Sequence, residues 1–449
     1  MAPAVVNLSP VLQVMLAGAV LAAIALGWLW LRNRRDCPRH WLRAATLLTL
    51  FLTFDLVLFG AFTRLSDSGL GCPDWPGCYG NASPVGAKAE IHAAQSALPS
   101  GPVTHGKAWI EMVHRYLATG VGALILILTL ASWRLRWRAA PGVDTPSAWW
   151  PTWTLLWVCV QGAFGAFTVT MKLFPAIVTL HLLGGLLLLV LLAVQVDAQG
   201  RALDGGAPKV ELDRLTRVGL IATSVLLAVQ LGLGGWVSTN YAVLACTDFP
   251  ACQGSWWPEM RFDQGFQIWR ELGMTAGGEH LSFAALTAIH YVHRLMAYVV
   301  LLALGLLAWR RGTRGHARGN GWSAFALFAY AAAFSFAYLR LSAAAGALLL
   351  FGAVQATMIA HGLWSGERLR PLQLGGLVLA AGGLVGLVLP GLSAPPLAAA
   401  LLMLAAGIAW GMYSLRGRGA GDPLQVTAGN FLRAVPLAAV LALLMFRHI

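Results

Sequence analysis

GAFTRLSDSGLGCPDWPGC, residues 60–78, follows directly on a long apolar run and carries two cysteines with five residues between them, among Pro, Asp and Trp. A second stretch, GGWVSTNYAVLACTDFPAC (234–252), repeats the design behind another apolar run. Cysteines Cys72 and Cys78 lie 174 residues before Cys246 and Cys252, and the same offset pairs Gly60 with Gly234, Leu70 with Leu244, Asp74 with Asp248, Pro76 with Pro250 and Gly80 with Gly254. An ungapped match of this length is the mark of an internal repeat. EMVHRYLA (111–118) then aligns with HYVHRLMA (290–297), which sets His114 against His293, Arg115 against Arg294 and Glu111 against His290. Each unit reads as a helix, a cysteine loop and a helix that opens with a histidine.

The setting of these units is a membrane. The chain is 58% hydrophobic and 11% charged, whereas a soluble domain carries about 25% charged residues. Runs long enough to cross a ~30 Å hydrocarbon layer recur near 11–31, 44–62, 109–132, 149–170, 176–196, 217–236, 286–308, 322–339, 343–363, 372–390, 396–415 and 429–446. The reading is an all-α polytopic membrane protein of about twelve helices. The first run has its basic cluster, RNRRDCPRHWLR, behind it rather than before it. That order fits a retained helix with its N-terminus outside, not a cleaved signal. Further basic clusters, WRLRWR (133–138), the segment from Arg201 to Arg217, WRRGTRGHAR (309–318), GERLRP (366–371) and LRGRG (415–419), fall on one side, which the positive-inside rule makes cytoplasmic. The net charge of +13 thus reports topology and contact with anionic lipid. A nucleic-acid partner is excluded, because no basic soluble domain carries base-reading elements.

The cysteine loops fall on the opposite, charge-poor side, an extracytoplasmic face where disulfides persist. Two short-loop disulfides, Cys72–Cys78 and Cys246–Cys252, are expected there. Each could be a structural staple or a redox pair, and a short ring limits the entropic benefit of a staple. Cys37 lies in a cytoplasmic loop and Cys159 inside a helix.

Histidines inside transmembrane helices are costly and face a bundle interior or cavity. His114, His181 and His293 each lie a turn or two inside the cysteine-loop face, a depth that suits axial ligation of haem iron in a bundle core. The alternative for each is a hydrogen bond to a neighbouring helix. Zinc fits less well, since no His, Cys and carboxylate cluster has close spacing. Arg115 and Arg294 could pair with haem carboxylates. Glu111 shares a helical face with His114 and could move protons there, or simply pair with Arg115 or Lys107. His361 sits near the cytoplasmic end of its helix, at a different depth, and is expected to have no ligand role. His92, His105 and His280 are read as solvated loop residues.

Taken together, the first cysteine loop, EMVHR, QGAFGAFTVTMKLFPAIVTLH (161–181), the second loop and HYVHR resemble the haem A synthase family over roughly residues 44–310. The resemblance implies two four-helix bundles related by pseudo-symmetry and oxidation of a haem O methyl group to a formyl group by successive hydroxylations, which yields haem A for terminal oxidases. It implies Glu111 as the catalytic acid, His114 and His181 flanking the substrate haem, His293 as one axial ligand of haem b, and Cys72–Cys78 as the functional disulfide. Its implied partners are haem O, the enzyme that supplies it, an unidentified electron donor and membrane lipid, with assembly into homo-oligomers allowed. The pattern departs after residue 310, where the family's fourth histidine is not recognisable. FALFAYAAAFSFAYLRLSAAAG (325–346), the GER turn at Glu367 and the glycine-rich run after it resemble part of a drug/metabolite (EamA-type) transporter. The expected organisation is therefore an extra helix and basic loop over 1–43, a first bundle for the substrate haem over 44–200, an incomplete second bundle over 201–311, a linker over 312–321 and transporter-like helices over 322–449.

Overall fold

A computed structural model gives the fold and describes residues 9–34, 37–139, 145–203, 212–311, 319–388, 396–418 and 423–445. Among these residues all regular structure is helical. The long helices are α1 (Ser9–Asn33), α2 (Pro38–Leu65), α4 (His105–Arg138), α5 (Trp149–Thr170), α6 (Pro175–Leu203), α7 (Arg214–Thr239), α9 (Phe283–Arg311), α10 (Gly321–Tyr338), α11 (Ala343–Trp364), α12 (Pro371–Val388), α13 (Leu397–Arg416) and α14 (Pro423–Met445). Two short ones, α3 (Lys88–Ala97) and α8 (Phe262–Gly265), lie in the connections that carry the cysteine loops. Eleven described helices are long and apolar enough to cross a membrane, and the protein is multi-pass. The remaining expected span, near 372–390, is α12, which is apolar over Pro371–Gly383. Most of the expected linker, 312–318, and part of the basic clusters lie outside the described residues.

Helix ends follow local chemistry. Pro38 opens α2, where a missing N–H costs nothing. Thr104 Oγ1 accepts from Lys107 N at 3.3 Å and starts α4, and the Asn320 side chain does the same for α10 through Ser323 N at 2.8 Å. Inside the apolar spans, polar side chains must find partners at hand. Buried Thr46, Thr49 and Thr53 on α2 donate to carbonyls one turn earlier, at 2.9, 2.9 and 2.7 Å, which lets a stripe of hydroxyls pack as small residues.

The chain divides into two compact units, Met1–Leu212 with Val225–Met296, and Asp213–Ser224 with Ala297–Ile449. In the first, α2 packs on α4 and α6, and α5 packs on the same two helices, which closes a four-helix ring with α4 and α6 on its diagonal. Val121, Ile125, Leu188 and Leu192 fill its middle, and α1 lies outside against α4, where Gly18 passes so close to Thr119 and Gly120 that a Cβ would clash. In the second unit α13 packs between α10 and α11, with Gly407 against Ala353 and Leu350 and Gly411 against Thr357. Asn430 Oδ1 accepts from Asn320 N at 3.1 Å and ties α14 to the start of α10.

Candidate functional site

Two disulfides, Cys72–Cys78 and Cys246–Cys252, close the loops after α2 and α7, and all four cysteines are buried. Inside the first loop the Asp74 carboxylate accepts from the backbone N–H groups of Tyr79 (2.6 Å) and Gly80 (2.7 Å). Asp248 accepts from Gln253 (2.6 Å) and Gly254 (2.8 Å) in the second. These bonds, that of Gly254 foremost, hold the Asp248 carboxyl below the usual range. Gly80 and Gly254 both have φ of +70°, a left-handed turn for which glycine pays no steric cost.

An arginine fastens each loop to the helix that follows. Arg115 donates to the carbonyls of Asp74 (2.9 Å), Pro76 (3.2 Å) and Gly77, and Arg294 to those of Asp248 (2.6 Å), Ala251 (3.1 Å) and Cys246 (3.1 Å). The sequence offered these guanidinium groups to haem carboxylates. The fold turns both toward the loops.

Glu111 lies one turn before Arg115 and pairs with it, while Lys107 pairs with Asp67 instead. The other carboxylate oxygen of Glu111 accepts from Cys72 N at 2.8 Å. Glu111 therefore touches the disulfide loop through the backbone of its first cysteine. In the second loop His290 takes this place: its Nδ1 stands 3.3 Å from Cys246 N and its Nε2 3.3 Å from Arg294 Nε.

His114 and His181 come from the diagonal helices α4 and α6, each near the end that adjoins the cysteine-loop side. The His114 ring lies against Gly60 on α2, where a Cβ would stand 3.0 Å from its Cε1, and stacks parallel to Phe59. The His181 ring lies against Gly165 on α5 at 3.5 Å. In both rings Nδ1 is buried without a protein partner. Two imidazoles from opposite corners of a bundle, each backed by glycine and neither satisfied by protein, fit a metal-bearing planar ligand. His293 on α9 repeats the arrangement against Gly234 of α7, at 3.1 Å from the missing Cβ. It adds a contact that the first bundle lacks, since Gln230 Nε2 stands 3.1 Å from His293 Nδ1. His361 is exposed in the last turn of α11 and neighbours Ser365. Among the described residues no cluster of His, Cys, Asp and Glu could hold a free metal ion.

Sequence reasoning did not find the glycine seats or Gln230. The offset pairing of Gly60 with Gly234 was the available signal for the seats. It also missed two contacts between residues 174 positions apart: Arg64 donates to Ser238 O, and Tyr241 Oη donates to Asp67 Oδ1 at 2.6 Å.

The model of a family described as COX15-CtaA, cytochrome oxidase assembly protein, matches residues 43–365, from the start of α2 through α11. A protein of Shewanella oneidensis named "Heme A synthase" is 39% identical over 271 residues, 59% of this chain and 77% of that protein. A "Heme A synthase" of Chelativorans is 28% identical over 59% of this chain and 72% of its own length. An uncharacterised protein of Pseudomonas aeruginosa is 56% identical over 174 residues, 37% of this chain and 60% of that protein.

Proposed function

Because the chain belongs to the COX15-CtaA family of cytochrome oxidase assembly proteins, we propose that it makes haem A from haem O in the membrane. A ring methyl group of haem O is oxidised to a formyl group by two successive hydroxylations, each consuming dioxygen with two electrons and two protons and releasing water, and the resulting geminal diol loses water to leave the aldehyde. The observation that carries this reading is the pair His114 and His181 on the diagonal helices of the first bundle, each ring seated on a glycine with its Nδ1 unpartnered, with Glu111 one turn from His114. It stands beside the 39% identity to the Shewanella protein.

In this reading the first bundle, residues 44–200, holds the substrate. His114 and His181 flank it, with glycines leaving room for a flat macrocycle. Glu111 is the acid–base group, held by Arg115 and Cys72 N at the mouth of the bundle. Arg115 and Arg294 serve to fasten the cysteine loops. Cys72–Cys78 is the functional disulfide, and the support for a role beyond stapling is its contact with Glu111, which the second loop replaces by His290. His293 is an axial ligand of haem b, which when bound would carry electrons. The parallel loops, arginines and glycine seats support an internal duplication, and the two contacts between residues 174 apart lie where a local two-fold axis would bring equivalent positions together.

The second haem site is proposed to be incomplete, because His361 is exposed at the far end of α11 while His181 lies near the start of α6. The family match through residue 365 takes in α10 and α11, much of the segment read as transporter-like over 322–449, and the transporter reading is not carried further. The cysteine loops are assigned to the extracytoplasmic side by the arginine-rich connections on the other. Haem O, the enzyme supplying it, an electron donor and lipid are the proposed partners.

The test is to purify the full chain expressed beside a haem O source, extract the pigment and separate haems B, O and A. Haem A that disappears in Glu111→Ala supports the reading. Haem O retained without haem A overturns turnover, and absence of any haem overturns the ligand assignment of all three histidines.

A further inference from the structure

The helices that carry His114 and His293 are alike in their glycine seats and unlike in one neighbour. Gln230 and Gly234 lie one turn apart on α7 and so share a face, and both meet the His293 ring. Gly234 leaves space at Cε1, and the Gln230 amide stands 3.1 Å from Nδ1 and 3.4 Å from Nε2. The residue 174 positions before Gln230 is Leu56, an apolar side chain packed against the core of the first bundle. His114 there has a buried Nδ1 with no partner. The amide is thus something the second bundle adds to an otherwise shared design.

The chemistry of a neutral imidazole gives the amide a task. One ring nitrogen carries the proton and the other a lone pair. When iron takes the Nε2 lone pair, the proton sits on Nδ1, and a ligating histidine donates that proton to an acceptor that fixes its tautomer and orientation. An amide offers such an acceptor after half a turn about its last torsion. Gln230 has one ready, because its Oε1 is buried and has no hydrogen-bond partner. The neighbouring His290 and Arg294 are engaged elsewhere, with each other and with the cysteine loop.

We propose that Gln230 is a positioning residue for His293: its Oε1 accepts from His293 Nδ1–H and holds the imidazole in the tautomer whose Nε2 ligates haem iron. The inference rests on the assignment of His293 to haem b given above. It predicts that the iron at His293 has a more basic axial ligand than an iron bound through His114, whose ring lacks such an acceptor.

The experiment uses the full chain carrying His114→Ala and His181→Ala, so that haem counted is haem at His293, loaded with haem b. Haem retention on dilution and the midpoint potential of the ferric/ferrous couple are read for this background and for Gln230→Leu, Gln230→Glu and His293→Ala. Loss of an outer hydrogen bond of this kind weakens binding about 10–100-fold, and Gln230→Leu is expected to do so while raising the potential. Gln230→Glu supplies a stronger acceptor and is expected to keep the haem and lower the potential. A packing role for Gln230 would move both variants in the same direction, and that result overturns the proposal, as does no change in Gln230→Leu. If His293→Ala keeps its haem, the haem b assignment falls and takes this inference with it. If His293→Ala loses haem while Gln230→Leu behaves as the background, only the role of Gln230 falls.

Discussion

Replacing Arg115 with methionine keeps the stem of the side chain and removes its charge, and the two cysteine loops supply an internal control. Arg115 and Glu111 have side chains only 9% and 5% exposed. Removing one partner of a buried ion pair leaves an uncompensated charge, at a cost of about 3–5 kcal/mol. Three loop carbonyls lose their donor at the same time. Arg294→Met also strips three carbonyls, but its neighbour is His290 rather than a carboxylate. Its cost is limited to hydrogen bonds, which are part-buried and open to replacement by water, about 1–2 kcal/mol. The assay is the reduction rate of each disulfide by a membrane-impermeant thiol, trapped by alkylation and counted by mass. Cys72 and Cys78 are fully buried, so reduction follows the population of an opened loop. A 3 kcal/mol loss corresponds to roughly a hundredfold faster reduction of Cys72–Cys78. Arg294→Met should speed Cys246–Cys252 by about tenfold. Adding Glu111→Gln to Arg115→Met should recover much of the difference, since the stranded charge is gone. Equal acceleration of the two loops, or no recovery in the double variant, would refute the reasoning.

Gly60→Ala places a Cβ 3.0 Å from His114 Cε1, whereas Gly165→Ala makes an ordinary 3.5 Å contact with His181. Haem content is expected to fall clearly in the first and to hold in the second, as read by pigment per chain. The Asp248 carboxyl is held below its ordinary pKa, mainly by the N–H of Gly254. Its contribution is therefore present above the unfolded value of about 3.9 and is lost as pH falls through the lower folded value. Reduction of Cys246–Cys252 in the wild type should not accelerate between pH 7 and 5, while Asp248→Asn should be faster across that whole range. Tyr241→Phe removes a hydrogen bond to exposed Asp67 and should cost no more than about 1.5 kcal/mol in thermal unfolding. His361→Ala should leave haem content unchanged, and loss of haem would restore a ligand role to this exposed residue.

The helical architecture was legible because composition and hydrophobic run length are lipid constraints that act on every span alike. The cysteine pairs were legible from their repeated offset of 174, and His114 and His293 from the separate match of EMVHR to HYVHR. What the sequence did not disclose was direction. The side chains of Arg115 and Arg294 reach back to loop carbonyls 38–48 residues away, and nothing in a linear motif says whether a guanidinium points to a ligand or to its own chain. Glu111 could have paired with Arg115 or Lys107, and helical spacing alone does not choose between them. Asp67 settles the matter by taking Lys107 from 40 residues away. Glycine seats escaped for a similar reason, since a glycine in an apolar run reads as packing until a ring is seen lying on it.

The bond from Cys72 N to Glu111 makes the proton on that carboxylate and the electrons on the Cys72–Cys78 pair linked variables. A carboxylate that accepts from the loop backbone has one proton affinity while the loop is closed and another when it opens on reduction. Linkage is reciprocal, so protonating Glu111 must change the ease of reducing the disulfide by the same free energy. In the proposed reading, where Cys72–Cys78 is the functional disulfide, reductant and proton thereby each report on the other in the first half of the chain. The second half, with a histidine at the same place, has the same wiring with a different terminal.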